Sequence, residues 1–168
     1  MRARYASSPD QINELRSQID QLSKELEEAR VNPPPQSEGF AKGSEKFRIR
    51  FVYSEYFEEP SGRLLLSWDQ IFATVGPTMF DEAPESELRR QLEKKVSADQ
   101  KIEEEANVSL NEEDFQTIKV QLLALGLIAK SIRKRGVRDP ETYWTLTRYG
   151  ENYATVLKAI RASNTPGA

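Results

Sequence analysis

Apolar residues near the start of the chain fall at Ile12, Leu15, Ile19, Leu22, Leu26 and Ala29. The alternating spacing of three and four is a heptad seam. Ile12, Ile19 and Leu26 take one core position, and Leu15, Leu22 and Ala29 the other. Ser8 suits the cap of such a helix and Pro9 its first position. The pattern predicts a coiled-coil helix over residues 8–30. Isoleucine at the first core position with leucine at the second favours a parallel dimer. Glu25 of one chain then faces Arg30 of the other, a pair that sets orientation more than stability. The same stripe also fits an amphipathic helix docked on its own domain, although a strict two-position stripe is narrow for that purpose. At about 27 Å the seam is short, and such a coil is marginal without a second contact.

The pattern stops at Val31. Residues 31–45, VNPPPQSEGFAKGSE, are a linker by composition. Its three prolines end the helix and stiffen the chain, and its Gly, Ser and charged residues loosen it afterwards.

Residues 46–163 carry the periodicities of a folded domain. Phe47, Ile49, Phe51 and Tyr53 alternate with Arg48, Arg50, Val52 and Ser54, as in a half-buried strand. A turn at Glu59–Gly62 leads to Arg63–Leu66, a short second strand or an extended entry to the next helix. Ser67 and Gln70 form a capping box, followed by a buried face of Trp68, Ile71, Phe72 and Val75. Gly76 and Pro77 kink or end that helix near Met79 and Phe80. Pro84 opens another, with Leu88, Leu92 and Val96 inside. Residues 97–110 are polar and acidic, and are expected to be a loop. Asn111 caps a third helix with an apolar stripe of Phe115, Ile118, Leu122 and Leu125, stopped at Gly126. Leu127–Ile132 and Tyr143–Leu146 read as paired strands around a basic turn. Thr147 caps a closing helix with Tyr149, Tyr153, Val156, Leu157 and Ile160 expected inside. The tail, residues 164–168, is expected to be disordered.

Composition changes the picture in two ways. The 168 residues include neither cysteine nor histidine. That removes thiol nucleophiles, Cys/His zinc sites, histidine acid–base chemistry and disulfides. No phosphate-binding loop and no G-x-G-x-x-G motif is present. The acidic run at 103–105 and 112–114 lacks the spacing of a calcium loop. No enzyme activity, cofactor or metal site is therefore expected. Charge is also divided. Residues 129–168 carry 8 Lys/Arg against 3 Asp/Glu, a balance of +5 within a chain of net charge −3. No apolar run is long enough to cross a bilayer and no apolar signal region opens the chain, so a cytoplasmic location without membrane contact is expected.

Three helices, a basic hairpin and a closing helix are the element order of a winged-helix domain. The chain resembles that superfamily over roughly Leu66 to Ala162. Gln121-Leu-Leu-Ala-Leu-Gly-Leu-Ile128 is similar to a third helix running into a wing, and Trp144-Thr-Leu-Thr-Arg-Tyr-Gly150 to its return strand. The short coil, the proline linker and Leu66-Ser-Trp-Asp-Gln-Ile-Phe72 also resemble the C-terminal region of bacterial proteins that carry an uncharacterised Toll/interleukin-receptor-like N-terminal domain. The expected fold class is thus mainly α with a small β-hairpin wing: a coiled-coil helix, then a winged-helix-like α+β domain.

The resemblance raises DNA binding, in which the third helix enters the major groove and the wing touches backbone. Lys130, Arg133, Lys134, Arg135 and Arg138 suit phosphate contact or an acidic partner. Within the third helix Gln116, Lys119 and Gln121 are the candidate base readers. Seven acids, from Asp99 to Asp114, lead into that helix and would repel phosphate. The expected role is therefore a non-enzymatic oligomerisation and protein-interaction module, an accessory region of a larger bacterial protein. The alternative is largely sequence-independent nucleic-acid binding through the wing.

Overall fold

The structure is a computed structural model that describes residues 8–54, 56–103, 106–133, 135–136 and 138–160. It is an α+β fold. The elements run α1 (Pro9–Val31), β1 (Lys46–Tyr53), β2 (Ser61–Ser67), α2 (Trp68–Val75), β3 (Ala83–Pro84), α3 (Glu85–Gln100), β4 (Val108–Leu110), α4 (Glu112–Ala124), β5 (Ile128–Lys130), β6 (Tyr143–Leu146) and α5 (Arg148–Lys158). The strands form two antiparallel three-stranded sheets, ordered β2-β1-β4 and β3-β6-β5.

Local chemistry sets the helix starts. Ser8 and Ser67 each close a capping box with the glutamine three residues on. Asn111 accepts from the Asp114 amide, and Thr147 from the Gly150 amide. Each cap satisfies an amide that has no partner within its own helix. Gly126 ends α4 at φ +69°, a left-handed conformation that costs a glycine little.

One apolar core joins both sheets to α2, α3, α4 and α5. Ile49, Ile71, Phe72, Met79, Leu92 and Val96 are fully buried at its centre. Each such side chain contributes about 1.5–3 kcal/mol relative to exposure. Tyr153 closes one side. Its hydroxyl donates to Asp69 Oδ1 at 2.6 Å. Burial, together with that carboxylate, pushes the phenol above its ordinary range.

Several expectations change. The stretch expected to be an acidic loop is partly regular, since α3 continues to Gln100 and residues 108–110 form β4 on β1. Strand content is therefore a whole second sheet, beyond the hairpin alone. Val156 is 64% and Ile160 99% exposed, not inside. The core-facing stripe of α5 stops at Leu157, and Ile160 lies past the helix end. Residues 31–45 are not a free spacer. Ser37 is buried, and its hydroxyl donates to the Pro34 carbonyl at 2.7 Å. The Asp69 amide donates to Gly43 O at 3.0 Å, and Pro34 lies on Gly126. The linker is strapped to the domain. No helix among the described residues is long and apolar enough to cross a membrane. The expected tail, 164–168, lies outside the described residues.

Candidate functional site

The proposed seam stands open in the single chain. Ile12, Leu15, Ile19, Leu22 and Leu26 are between 40 and 63% exposed, and no residue of α1 is buried. Ala29 is also exposed, beside a cavity of about 430 Å³ that Pro34, Thr147 and Tyr149 help to line. Polar pairs run along the helix flanks. Gln21 donates to Glu25 at 3.0 Å, and Arg30 bonds Glu27 at 3.1 Å. The Arg30 pairing in one chain is thus with Glu27. Asn32 caps the helix end by donating to Glu28 O at 2.7 Å.

The hairpin cations are mostly engaged. Arg133 bonds Asp81 at 3.0 Å and Glu82 at 3.2 Å, and Arg135 also pairs with Glu82. The Arg135 guanidinium stacks 3.3 Å above the Tyr143 ring, whose hydroxyl donates to Asp139. Lys130 Nζ lies 5.9 Å over Trp144. The Ser131 hydroxyl and Arg135 hold the Glu82 carboxyl below the usual carboxylate range. Arg138 is exposed, while Lys134 lies outside the described residues. The hairpin is therefore braced, its charge partly offset by the short segment before β3.

The three candidate readers on α4 are occupied as well. Gln116 donates to Glu112 at 2.6 Å. Gln121 donates to the linker carbonyl of Ala41 at 2.6 Å. Lys119 is buried, with Nζ 2.5 Å from Glu85 Oε1, and lies over Phe115 and Trp144. Trp144 Nε1 donates to the other oxygen of Glu85 at 3.1 Å. Lys119 thus ties α3, α4 and β6 together. The solvent side of α4 carries Val120 and Leu123 instead, 63% and 40% exposed.

The acidic start of α4 binds arginines. Glu112 pairs with Arg89. Asp114 accepts from the Arg50 amide at 2.7 Å and from both Nε and Nη2 of its guanidinium. Glu113 accepts from Nη2 at 2.9 Å. Hydrogen bonds from Arg50 outweigh burial and hold the Asp114 carboxyl below its ordinary value. A depressed carboxylate stabilises the fold above its unfolded value, and that stability is lost as pH falls through the folded value. Asp114→Asn is therefore expected to melt several degrees below wild type at neutral pH. The gap should narrow as the pH falls below the ordinary aspartate range and through the depressed folded value. Thermal melts across pH check this, and a gap that does not narrow towards acid pH would refute the assignment. Among the described residues no cluster of three or more acidic side chains is placed to hold a metal ion.

No family model, curated protein or solved structure matches the chain.

Proposed function

We propose that this chain is a non-enzymatic oligomerisation and interaction module, paired in parallel with a second copy through the heptad face of α1. The observation that carries this is the open seam. Ile12, Leu15, Ile19, Leu22 and Leu26 are all exposed, whereas α2, α3 and α4 bury their apolar stripes in the domain. A stripe at heptad spacing with isoleucine and leucine segregated by position is what a second helix would fill. The strapped linker supplies what a three-heptad coil lacks. It holds the coil end against the domain, so that two paired chains would also bring two domains together.

The winged-helix reading of the domain is part of the proposal. It is supported by the order α2, β3, α3, α4, β5, β6 and by the sheet order β3-β6-β5. The wing-mediated nucleic-acid alternative loses support from the ion pairs on Arg133 and Arg135. The module would serve as an accessory part of a larger bacterial protein in the cytoplasm, with protein as its partner.

Light scattering after size-exclusion chromatography tests the pairing. At tens of micromolar the 19.2 kDa chain is expected at twice its mass. The Ile19→Asp, Leu22→Asp variant is expected at the single-chain mass with unchanged domain melting, because both residues lie on α1 away from the core. A wild type already at single-chain mass would overturn the proposal.

A further inference from the structure

The outer face of the β2-β1-β4 sheet is used by neither the seam nor the hairpin. Alternation along β1 sends Phe47, Ile49, Phe51 and Tyr53 inward and leaves Lys46, Arg48, Arg50 and Val52 exposed. The pairing register sets Arg48 against Leu65 and Arg50 directly against Arg63. Val52 faces Ser61 on one side and Ser109 on the other. Four cations therefore share one sheet face, and the strand positions of that face include no carboxylate.

Edge protection does not account for their pairing. Charged residues often blunt an exposed sheet edge, and β4 covers β1 only at Phe51–Tyr53, which leaves the Lys46 and Arg48 stretch open on that side. Like charges placed directly opposite, as Arg50 and Arg63 are, repel. Arg50 is held in place by Asp114 and Glu113 at the border of the face. Among the described residues, Lys46, Arg48 and Arg63 have no carboxylate within salt-bridge distance. The contrast with the braced hairpin is direct. Arginine is also the cation best shaped to grip phosphate oxygens in pairs.

The face is long. From Lys46 to Val52 it extends about 20 Å at the strand repeat. A shallow cavity of about 350 Å³ opens where Arg50 and Arg63 meet, with Ser61, Ser109 and Asn111 around it. A strip of this length fits a polymer of anions better than one small anion. The described strand positions of that face carry no aromatic ring, so the strands themselves offer nothing to stack on the bases of a single strand.

We propose that the outer face of the β2-β1-β4 sheet, through Lys46, Arg48 and Arg63, binds the phosphate backbone of duplex nucleic acid without regard to sequence. Contact with backbone alone carries no sequence information and is strongly salt-dependent. The surface is separate from the α1 seam, so it stands whether or not the chain pairs with a second copy.

Fluorescence anisotropy of the full chain with two unrelated labelled duplexes of about 20 base pairs, from about 50 to 200 mM salt, tests it. Wild type is expected to bind both duplexes alike. Arg48→Glu with Arg63→Glu is expected to lose tenfold or more in affinity, and to lower the salt slope by about 2. Both side chains are exposed and outside the core, and an unchanged circular dichroism spectrum and melt verify the fold. Arg133→Glu with Arg135→Glu, on the hairpin, is expected to bind as wild type. Retained binding in the sheet variant would overturn the proposal. So would loss of binding confined to the hairpin variant, absence of binding at the lowest salt, or equal displacement by polyglutamate at matched charge. The last result would assign the face to acidic protein.

Discussion

Gly150→Ala is expected to lower the melting temperature by roughly 6–12 °C, from about 3 kcal/mol of lost stability. Gly150 sits in the first turn of α5, where the helix crosses the start of β5. A Cβ there would fall onto the carbonyl oxygen of Leu127 and lie 2.8 Å from its carbon. That carbonyl cannot retreat easily. It accepts the Thr147 amide at 3.1 Å, and the Thr147 side chain in turn accepts the Gly150 amide at 2.9 Å. Moving α5 outward to make room would pull Tyr149 and Tyr153 from the core edge. Gly136→Ala is the matched control, because its Cβ meets nothing within 4 Å. Differential scanning calorimetry on both variants checks the pair, and a Gly150→Ala melt within a degree of wild type would sink the packing argument.

Lys119→Ala is expected to cost about 2–3 kcal/mol. Removing one partner of a buried ion pair generally costs about 3–5 kcal/mol. The lower figure applies because the Glu85 side chain is 27% exposed and keeps its bond from Trp144 Nε1. Lys119→Met combined with Glu85→Gln is expected to recover most of the loss, since no uncompensated charge then remains. Urea denaturation of the single and double variants gives the coupling. A single variant as stable as wild type would mean that the lysine is free to act outward. That would restore it as a candidate reader of nucleic acid.

The residues that were legible in advance are those whose neighbours in space are neighbours in sequence. Ser8, Ser67, Asn111 and Thr147 each cap a helix because a side-chain oxygen and an amide three residues on need nothing else. The buried faces of α2, α3 and α4 follow from 3.6-residue periodicity for the same reason. What escaped depends on distant contacts. Three residues, with only Ser109 between two apolar ones, are too few for β4 to show a strand period. Lys119 looks like an exposed cation until Glu85 and Trp144 are brought beside it from 34 and 25 positions away. The basic run of the hairpin gives no hint that Asp81 and Glu82 will meet it. The alternation of Arg48 and Arg50 is visible in sequence, but only the register of β1 on β2 adds Arg63 to the same surface. Composition suggested that residues 31–45 were loose, and Gln121 and Gly126, on and beyond α4, are what strap them down.

The strap also has a mechanical meaning. Pro34 bears on Gly126 at the corner between α4 and β5, and Ala41 is tied to Gln121 one turn earlier. Force applied along α1 would therefore reach the domain where α1 meets α5 and at that corner, with the stiff proline run acting as a lever arm. Helix α1 is in this sense a handle fixed to the domain beside the root of its hairpin.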